Sequence, residues 1–355
     1  MLSICNAKAR KEKIMKESQP SIDEWKPLYD VASEFKKLQC WDWMYDSDVF
    51  GVQNPANGEI GYCSVMGNLG EFIALAVYIG TQGLETYIRV RNGEINAGNI
   101  EAITSQKCLM ASFEDRNTLT DKDRGIIKEL GLKFRGRMEW PLFRDYTPGY
   151  YPWYLTKDQI QYLTMALQQA IEVAVRFKEN REILKSPDDE SFFVRASKKT
   201  KSGLQWKDEW LKPEPLEEEQ NFIPKIEESS LEEINASVQR SNGVWEVDLF
   251  LTPMPVSEKI GERPYYPYMI LFVDGNMGVP INFGFTNQQD RIKEFVDKFF
   301  NSILKFGIPS EILVRRREAY EILEVITEQL DIDLTALKNL PKMEEVQDFV
   351  LRRMV

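Results

Sequence analysis

The chain has 355 residues, 43% of them hydrophobic and 28% charged, with a formal net charge of −11 and no histidine. Because histidine is the usual general base, the usual partner of a nucleophilic Ser or Cys and a common zinc ligand, its absence excludes Ser-His-Asp and Cys-His catalysis, HExxH sites and histidine-containing zinc sites. Metal sites built on carboxylates, acid–base catalysis by Lys or Tyr, and pure binding remain open.

The composition also indicates a compartment. We find no run of about 18 apolar residues that could span a membrane and no secretory signal at the start of the sequence. The four cysteines match no CxxC or zinc-ribbon spacing; they are Cys5, Cys40, Cys63 and Cys108. We therefore expect a cytoplasmic protein with free, buried thiols, without a cofactor, a metal or membrane contact.

The first part of the chain predicts a charged, flexible leader over 1–20 and an α+β domain with a mixed sheet over 21–211. Ser21 and Glu24 form a capping box for the first helix. Thr120 caps the start of another helix, and Gly131 ends it. In chain order the pattern predicts the helix SIDEWKPLYDVASEFKKLQ, strands DVFGVQ and EIGYCSVMG, an apolar helix over GNLGEFIALAVYIGTQGLETYIRVRNG, the strand KCLMASFED, the helix TDKDRGIIKELGL, the long helix TKDQIQYLTMALQQAIEVAVRFKENREIL, and the hairpin SFFVRAS–LQWKDEWL.

Three glycines lie where the second strand is predicted to run into that apolar helix: Gly61, Gly67 and Gly70. Phosphate-binding loops occur at such junctions. The spacing fits neither GxGxxG nor GxxxxGK[ST], and no Lys follows. We interpret the glycines as a tight strand-to-helix turn.

An acidic connector separates the two halves of the chain. Eight acids and one base fall between Pro213 and Glu233, in a stretch with few apolar residues. Such a composition buries too little surface to offset chain entropy. We predict a linker over 212–234 and a domain boundary there. The acidity argues against a nucleic-acid groove, which needs clustered Lys and Arg.

A proteolysis experiment tests this boundary. Because the connector lacks core-forming residues, limited digestion should cut first between Pro213 and Glu233 and leave two folded fragments. Mass spectrometry of the first products identifies the cut. First cleavage elsewhere would mean that the connector packs against a domain.

Residues 235–355 predict a second α+β domain. The pattern gives strands GVWEVDLFLTPMPV, YYPYMILFVDG and VPINFGFT, the helix RIKEFVDKFFNSILKFG, the strand SEILVRR, the helix EAYEILEVITEQL, the strand IDLTAL and the helix KMEEVQDFVLRRM. The order is βββαβαβα, with a three-stranded meander first.

This order, with Asp248 on the first strand, resembles the ribonuclease-H-like core of transposases and integrases. In that family a first-strand Asp, an Asp at the end of the fourth strand and a helical carboxylate hold two divalent metals for phosphoryl transfer. Asp248 matches the first position, whereas Asp274 falls in a turn. The end of the fourth strand carries Arg315, Arg316 and Arg317, and three cations repel Mg²⁺. The resemblance implies a degenerate core in which Asp248 is held by arginine or backbone contacts.

A second resemblance covers the whole chain. The segments CWDWMYDSDVFGVQNPANGEIGYCSVMGNLGE, GYYPWYLT, RPYYPYMILFVDG and GIPSEILV are similar to those of uncharacterised bacterial proteins with two consecutive domains of unknown function. This resemblance implies a two-domain bacterial protein and assigns no activity.

Two groups of residues are candidates for binding. An aromatic, proline-containing segment, whose interleaved rings suit a partner or ligand or pack at the edge of a core, contains Arg144, Asp145, Tyr150, Tyr151, Trp153 and Tyr154. The run Arg315, Arg316 and Arg317 could clamp a phosphate or carboxylate, or it could be solvated or paired with Glu318 and Glu321.

We therefore predict that the chain has no catalytic residue and acts by binding, with a protein partner or another copy of itself. The alternative is a diverged carboxylate-dependent phosphoryl-transfer enzyme of ribonuclease-H-like type.

Overall fold

The structure, a computed structural model, describes residues 20–96, 98, 100–188, 190–201, 203–216 and 228–354. Within these residues the chain is a mixed α/β protein with a seven-stranded and a five-stranded sheet. Among the described residues, the first compact unit takes in 20–148 and Pro152–Leu216; the second takes in Gly149–Tyr151 and 228–354. The division after Leu216 falls inside the predicted linker. Residues 217–227 of that linker and residues 1–19 of the predicted leader lie outside the described residues.

The first unit is built on the seven-stranded sheet, with strand order β5-β4-β3-β2-β1-β6-β7. In chain order its elements are α1 (Ile22–Leu38), β1 (Phe50–Gln53), β2 (Ile60–Met66), β3 (Ile73–Ile79), α2 (Gly80–Arg91), α3 (Ile100–Thr104), β4 (Cys108–Glu114), α4 (Asp121–Glu129), β5 (Trp140–Tyr146), α5 (Lys157–Glu179), β6 (Phe192–Thr200) and β7 (Gly203–Leu211). Two short 3-10 helices cover Cys40–Asp42 and Arg181–Leu184.

Both faces of this sheet are buried at its central strands, β2, β3 and β4. Helices α1 and α5 pack on one face, where Phe35, Leu75 and Leu167 belong to the main core. A second cluster, which includes Tyr78 and Leu84, lies on the other face under α2. Alternate residues of the strands enter the two clusters, as the period of two in a strand requires.

The apolar helix predicted over 67–93 is wrong in its first half. Ile73–Ile79 is strand β3, which pairs with β2 and β4, and the helix begins only at Gly80 with φ 64°. A strand buried on both faces is a continuous apolar run and shows no alternation, so the pattern resembled a buried helix. Gly67 and Gly70 therefore form the turn between two antiparallel strands, and Gly61 lies within β2.

A further strand was not predicted at all. Trp140–Tyr146 is β5, which pairs with β4 at one edge of the sheet. The sequence there contains Pro141 near its start, which a central strand does not tolerate. An edge strand does, because one side of its backbone needs no ladder partner.

The second unit is built on the five-stranded sheet, with order β10-β9-β8-β11-β12. Its elements are α6 (Glu228–Ser237), β8 (Val244–Leu251), β9 (Tyr268–Asp274), β10 (Pro280–Thr286), α7 (Arg291–Phe306), β11 (Glu311–Val314), α8 (Arg317–Leu330), β12 (Asp333–Ala336) and α9 (Pro341–Met354). Strands β8, β9 and β10 form the predicted antiparallel meander, and β11 runs parallel to β8 and β12.

The end of the predicted linker differs from expectation. Helix α6 covers 228–234, which the acidic composition had assigned to the linker. Its Ile234 packs against the core of the second unit. The spacing of Leu231 and Ile234, three residues apart, is helical, but the surrounding glutamates concealed it.

The thiols are as expected within the described residues. Cys40, Cys63 and Cys108 are free and buried, and Cys5 lies outside that range. Burial raises the pKa of Cys40 to about 12, and it raises those of Cys63 and Cys108 as well. No helix among the described residues is both long and apolar enough to cross a membrane.

Candidate functional site

The carboxylate of Asp248 is the centre of the candidate site. Asp248 is fully buried on β8. Its Oδ1 accepts a hydrogen bond from the Leu249 backbone N–H at 3.0 Å. Its Oδ2 accepts from Nη2 of Arg315 at 2.9 Å, from Nη1 of Arg316 and from Nε2 of Gln347 at 3.2 Å. A backbone amide and three side chains thus satisfy this carboxylate. The contacts from arginine and from the backbone were predicted from the sequence.

Sheet register explains why the arginines reach Asp248. Strand β11 runs parallel to β8, with Val314 beside Val247. Arg315 and Arg316 leave the carboxyl end of β11, and Asp248 is the next residue along β8. Neighbouring strands are about 4.8 Å apart, so the guanidinium groups need only fold back across one spacing.

Helix α9 closes the other side of the site. Glu246, buried two residues before Asp248 and so on the same face of β8, accepts a hydrogen bond at 2.6 Å from the backbone N–H of Met343. A carboxylate at this position satisfies a free N–H at the start of a helix and favours its dipole. This contact fixes α9 where it presents Gln347 to Asp248 and Glu344 to Arg315, with 3.4 Å between Oε1 and Nη1.

The three consecutive arginines have different partners. Arg315 and Arg316 bind Asp248, and the guanidinium of Arg316 also lies 5.4 Å from the ring centre of Phe250. Arg317 is 91% exposed at the start of α8 and pairs with Glu321, as predicted. The predicted pairing with Glu318 is wrong, because Glu318 contacts Arg291 at 2.7 Å instead.

Other sequence-based expectations concern residues near this site. Asp274 forms a turn, in which its Oδ1 accepts from the backbone N–H groups of Asn276 and Met277 at 2.9 and 2.8 Å. The contribution of Gln347 was not predicted, because only the packing of α9 against β8 brings it to Asp248. The described residues contain no group of three or more Cys, Asp or Glu placed to hold a metal ion.

Arg144, in the first unit, is committed to an ion pair. Its guanidinium donates to both carboxylate oxygens of Asp123, at 3.0 and 2.7 Å, and lies 4.8 Å from the ring centre of Tyr154. Thr120 completes the group, because its backbone N–H and hydroxyl donate to the same carboxylate at the start of α4. Burial raises the pKa of Asp123, but the hydrogen bonds and charge of Arg144 and the bonds from Thr120 outweigh burial and hold that pKa below its usual value.

The remaining predicted binding residues are not all brought together. Asp145 and Trp153 exchange two backbone hydrogen bonds, at 2.8 and 2.9 Å, in the first unit. Tyr150 and Tyr151 belong to the second unit, where their rings lie 6.5 and 6.3 Å from those of Tyr265 and Tyr266. The aromatic segment therefore contributes to two surfaces, and its binding role stays a prediction.

Comparison with protein families gives two matches. Residues 25–195 match a family described as "Domain of unknown function (DUF7309)", and residues 230–351 match one described as "Domain of unknown function (DUF6930)". The predicted likeness to proteins with two consecutive domains of unknown function is confirmed. No curated protein matches the chain.

Two of the solved structures that match the chain illustrate a weak similarity. The HTLV-2 integrase catalytic core domain in complex with magnesium has 14% identity and a TM-score of 0.23, over 31% of this chain and 66% of that one. The simian T-cell lymphotropic virus intasome in complex with PP2A regulatory subunit B56 gamma has 15% identity and a TM-score of 0.24, over 31% of this chain and 40% of that one. The chain spans less than two thirds of the length of either, and these comparisons leave its function unknown.

Proposed function

We propose that the second unit is a ribonuclease-H-like core in which an ionic cluster occupies the position of the metal site, and that the protein acts by binding. The observation that carries the proposal is the set of contacts to Asp248, whose Oδ2 is bonded by Arg315, Arg316 and Gln347. The βββαβαβα order and the central place of β8 in the sheet support the assignment of the core.

Charge explains why this cluster opposes metal-dependent phosphoryl transfer. At an effective dielectric constant near 20, two unit charges 4 Å apart interact by about 4 kcal/mol. A divalent cation beside Asp248 would gain about twice that value from the carboxylate. It would lose a similar amount to each of the two guanidinium groups, Arg315 and Arg316. The alternative, a diverged phosphoryl-transfer enzyme, needs carboxylates where these cations lie.

The partner we propose is another protein, in a bacterial cytoplasm. Support comes from tyrosines on the second unit: Tyr151 is 43% exposed, and the guanidinium of Arg263 lies 5.4 Å from the ring centre of Tyr150. Tyrosine and arginine carry much of the binding energy in protein interfaces. The free, buried thiols support the cytoplasmic location.

A metal titration of the full-length chain tests the proposal. We expect calorimetry with Mn²⁺ to show no stoichiometric binding and assays with DNA and RNA to show no strand cleavage. The matched pair of variants is Asp248→Asn and Asp274→Asn, which remove one carboxylate from the cluster and one from a turn. Binding and cleavage that disappear in Asp248→Asn and persist in Asp274→Asn would establish the enzyme instead.

A further inference from the structure

Half of the residues that line a cleft in the first unit are cationic. It lies among the loop after β4, the last turn of α4, the segment 131–135 and the start of β5, and its volume is about 500 Å³. Five of its lining residues are basic and none is acidic: Arg116, Arg124, Lys128, Lys133 and Arg135. This is notable in a chain whose net charge is −11.

Most of these cations are free to bind a ligand. Arg124 donates to the Leu119 carbonyl and to Asp121. Among the described residues, Lys128, Lys133 and Arg135 are exposed and have no ion pair or hydrogen bond from their side chains. Close, unpaired cations repel one another, so an anion in the cleft relieves their repulsion as well as attracting each of them.

One feature of the fold works against an anion. The cleft lies at the carboxyl end of α4, where the helix dipole is equivalent to about half a negative charge. Lys128 lies in that last turn and offsets it. The remaining cations leave an excess of positive charge, and the ligand they attract is therefore negatively charged.

The wall of the cleft also contains aromatic rings. Trp140 and Phe134 are partly buried, with ring centres 5.9 Å apart. The guanidinium of Arg116 lies 5.8 Å from the ring centre of Trp140. Indole and guanidinium faces both stack on planar rings, whereas arginine and lysine side chains bind phosphate oxygens.

We infer that this cleft binds a small phosphorylated ligand with a planar ring, a nucleoside polyphosphate. The volume lies within the range of about 300–1,000 Å³ that is typical of small-molecule sites. Several adjacent cations bind a ligand with several phosphate groups better than a ligand with a single phosphate group. This inference does not depend on the role proposed for the second unit.

The experiment measures the binding of ATP to the full-length chain by calorimetry, at low salt and at 0.3 M salt. We expect saturable binding of one ATP per chain, at least tenfold weaker binding of AMP and of inorganic tripolyphosphate, and a marked loss of affinity at the higher salt. Absence of ATP binding at low salt overturns the inference. So does tighter binding of a single-stranded oligonucleotide than of ATP, because a nucleic-acid surface then explains the charges.

Two charge-reversed variants locate the site. Lys133→Glu/Arg135→Glu should weaken ATP binding at least tenfold. The control, Lys198→Glu/Lys199→Glu, reverses two exposed lysines on β6, which is five strand spacings, roughly 24 Å, from β5. It should change affinity less than twofold. Equal losses in both variants would show non-specific charge attraction and refute the site.

A third variant tests the ring. Trp140→Leu should weaken ATP binding at least fivefold while leaving tripolyphosphate binding within twofold. Tripolyphosphate also shows whether this variant is folded, because retained binding needs an intact cleft. Loss of both ligands with an unchanged circular dichroism spectrum would assign the aromatic wall to structure and refute the nucleoside part of the inference.

Discussion

Replacing both Arg315 and Arg316 with methionine should destabilise the second unit by about 3–5 kcal/mol, because it leaves the fully buried Asp248 carboxylate with little compensation. Methionine keeps much of the aliphatic packing of arginine and removes its charge. Hydrogen exchange, measured by mass spectrometry on peptides from β8 and β11, reports this local stability without assuming a two-state transition for the two-unit chain.

A cycle of variants separates charge from packing. Adding Asp248→Asn to the double arginine variant should restore at least half of the lost protection, because the buried charge is gone and an acceptor for the Leu249 N–H remains. Asp248→Asn alone should cost less than the double arginine variant, since the side chains of Arg315 and Arg316 are 25% and 37% exposed and can reach water. The opposite order would contradict the cluster as described.

Arg317→Met is the matched control in this series. The residue belongs to the same run of arginines, but its side chain is 91% exposed and pairs with Glu321, a carboxylate on its own helix. Water screens exposed pairs of this kind, so this variant should leave the protection from hydrogen exchange almost unchanged. A large effect here would mean that the whole run, and not the Asp248 cluster, stabilises the unit.

Apart from α6, the helices and strands of the second unit were predictable because their signals are local. Each strand run is bounded by turn residues, as at Asp274, and the apolar stripe of α7, with Phe295 and Phe299, has a clear helical period. In the first unit, the prediction of β3 failed because a strand buried on both faces shows no alternation of apolar and polar residues. The prediction of β5 failed because Pro141 indicates a break unless the strand is known to lie at the edge of a sheet.

The candidate sites were predictable only where their residues are neighbours in sequence. The adjacent arginines 315–317 at the end of a strand opposite Asp248 allowed the cluster to be anticipated, whereas Gln347 reaches it through the packing of α9. The cations of the cleft are spread from Arg116 to Arg135 and appear as ordinary surface charges. They become a site only when the segment after α4 folds against the start of β5.

The ion pair between Asp123 and Arg144 gives the other large effect. Asp123→Asn should destabilise the first unit by about 3 kcal/mol at pH 7, because it leaves a guanidinium whose side chain is only 13% exposed without its counter-charge. Peptides from α4 and β5 should lose protection from hydrogen exchange. This result would make Arg144 a structural residue and remove it from the candidate binding surface.

The pH dependence of this effect has a defined sign. The pKa of Asp123 in the folded chain is lowered from 3.8, so its contribution to stability is complete above the unfolded value and is lost as the pH falls through the folded value. The difference between the wild type and Asp123→Asn should therefore be constant from pH 5 to 8 and shrink below about pH 4. Asp121→Asn, in the same helical turn but with a fully exposed side chain, should leave stability almost unchanged at pH 7. A difference that grows on acidification would show that Asp123 is stabilised in its protonated form, and hence that Arg144 is not its dominant partner.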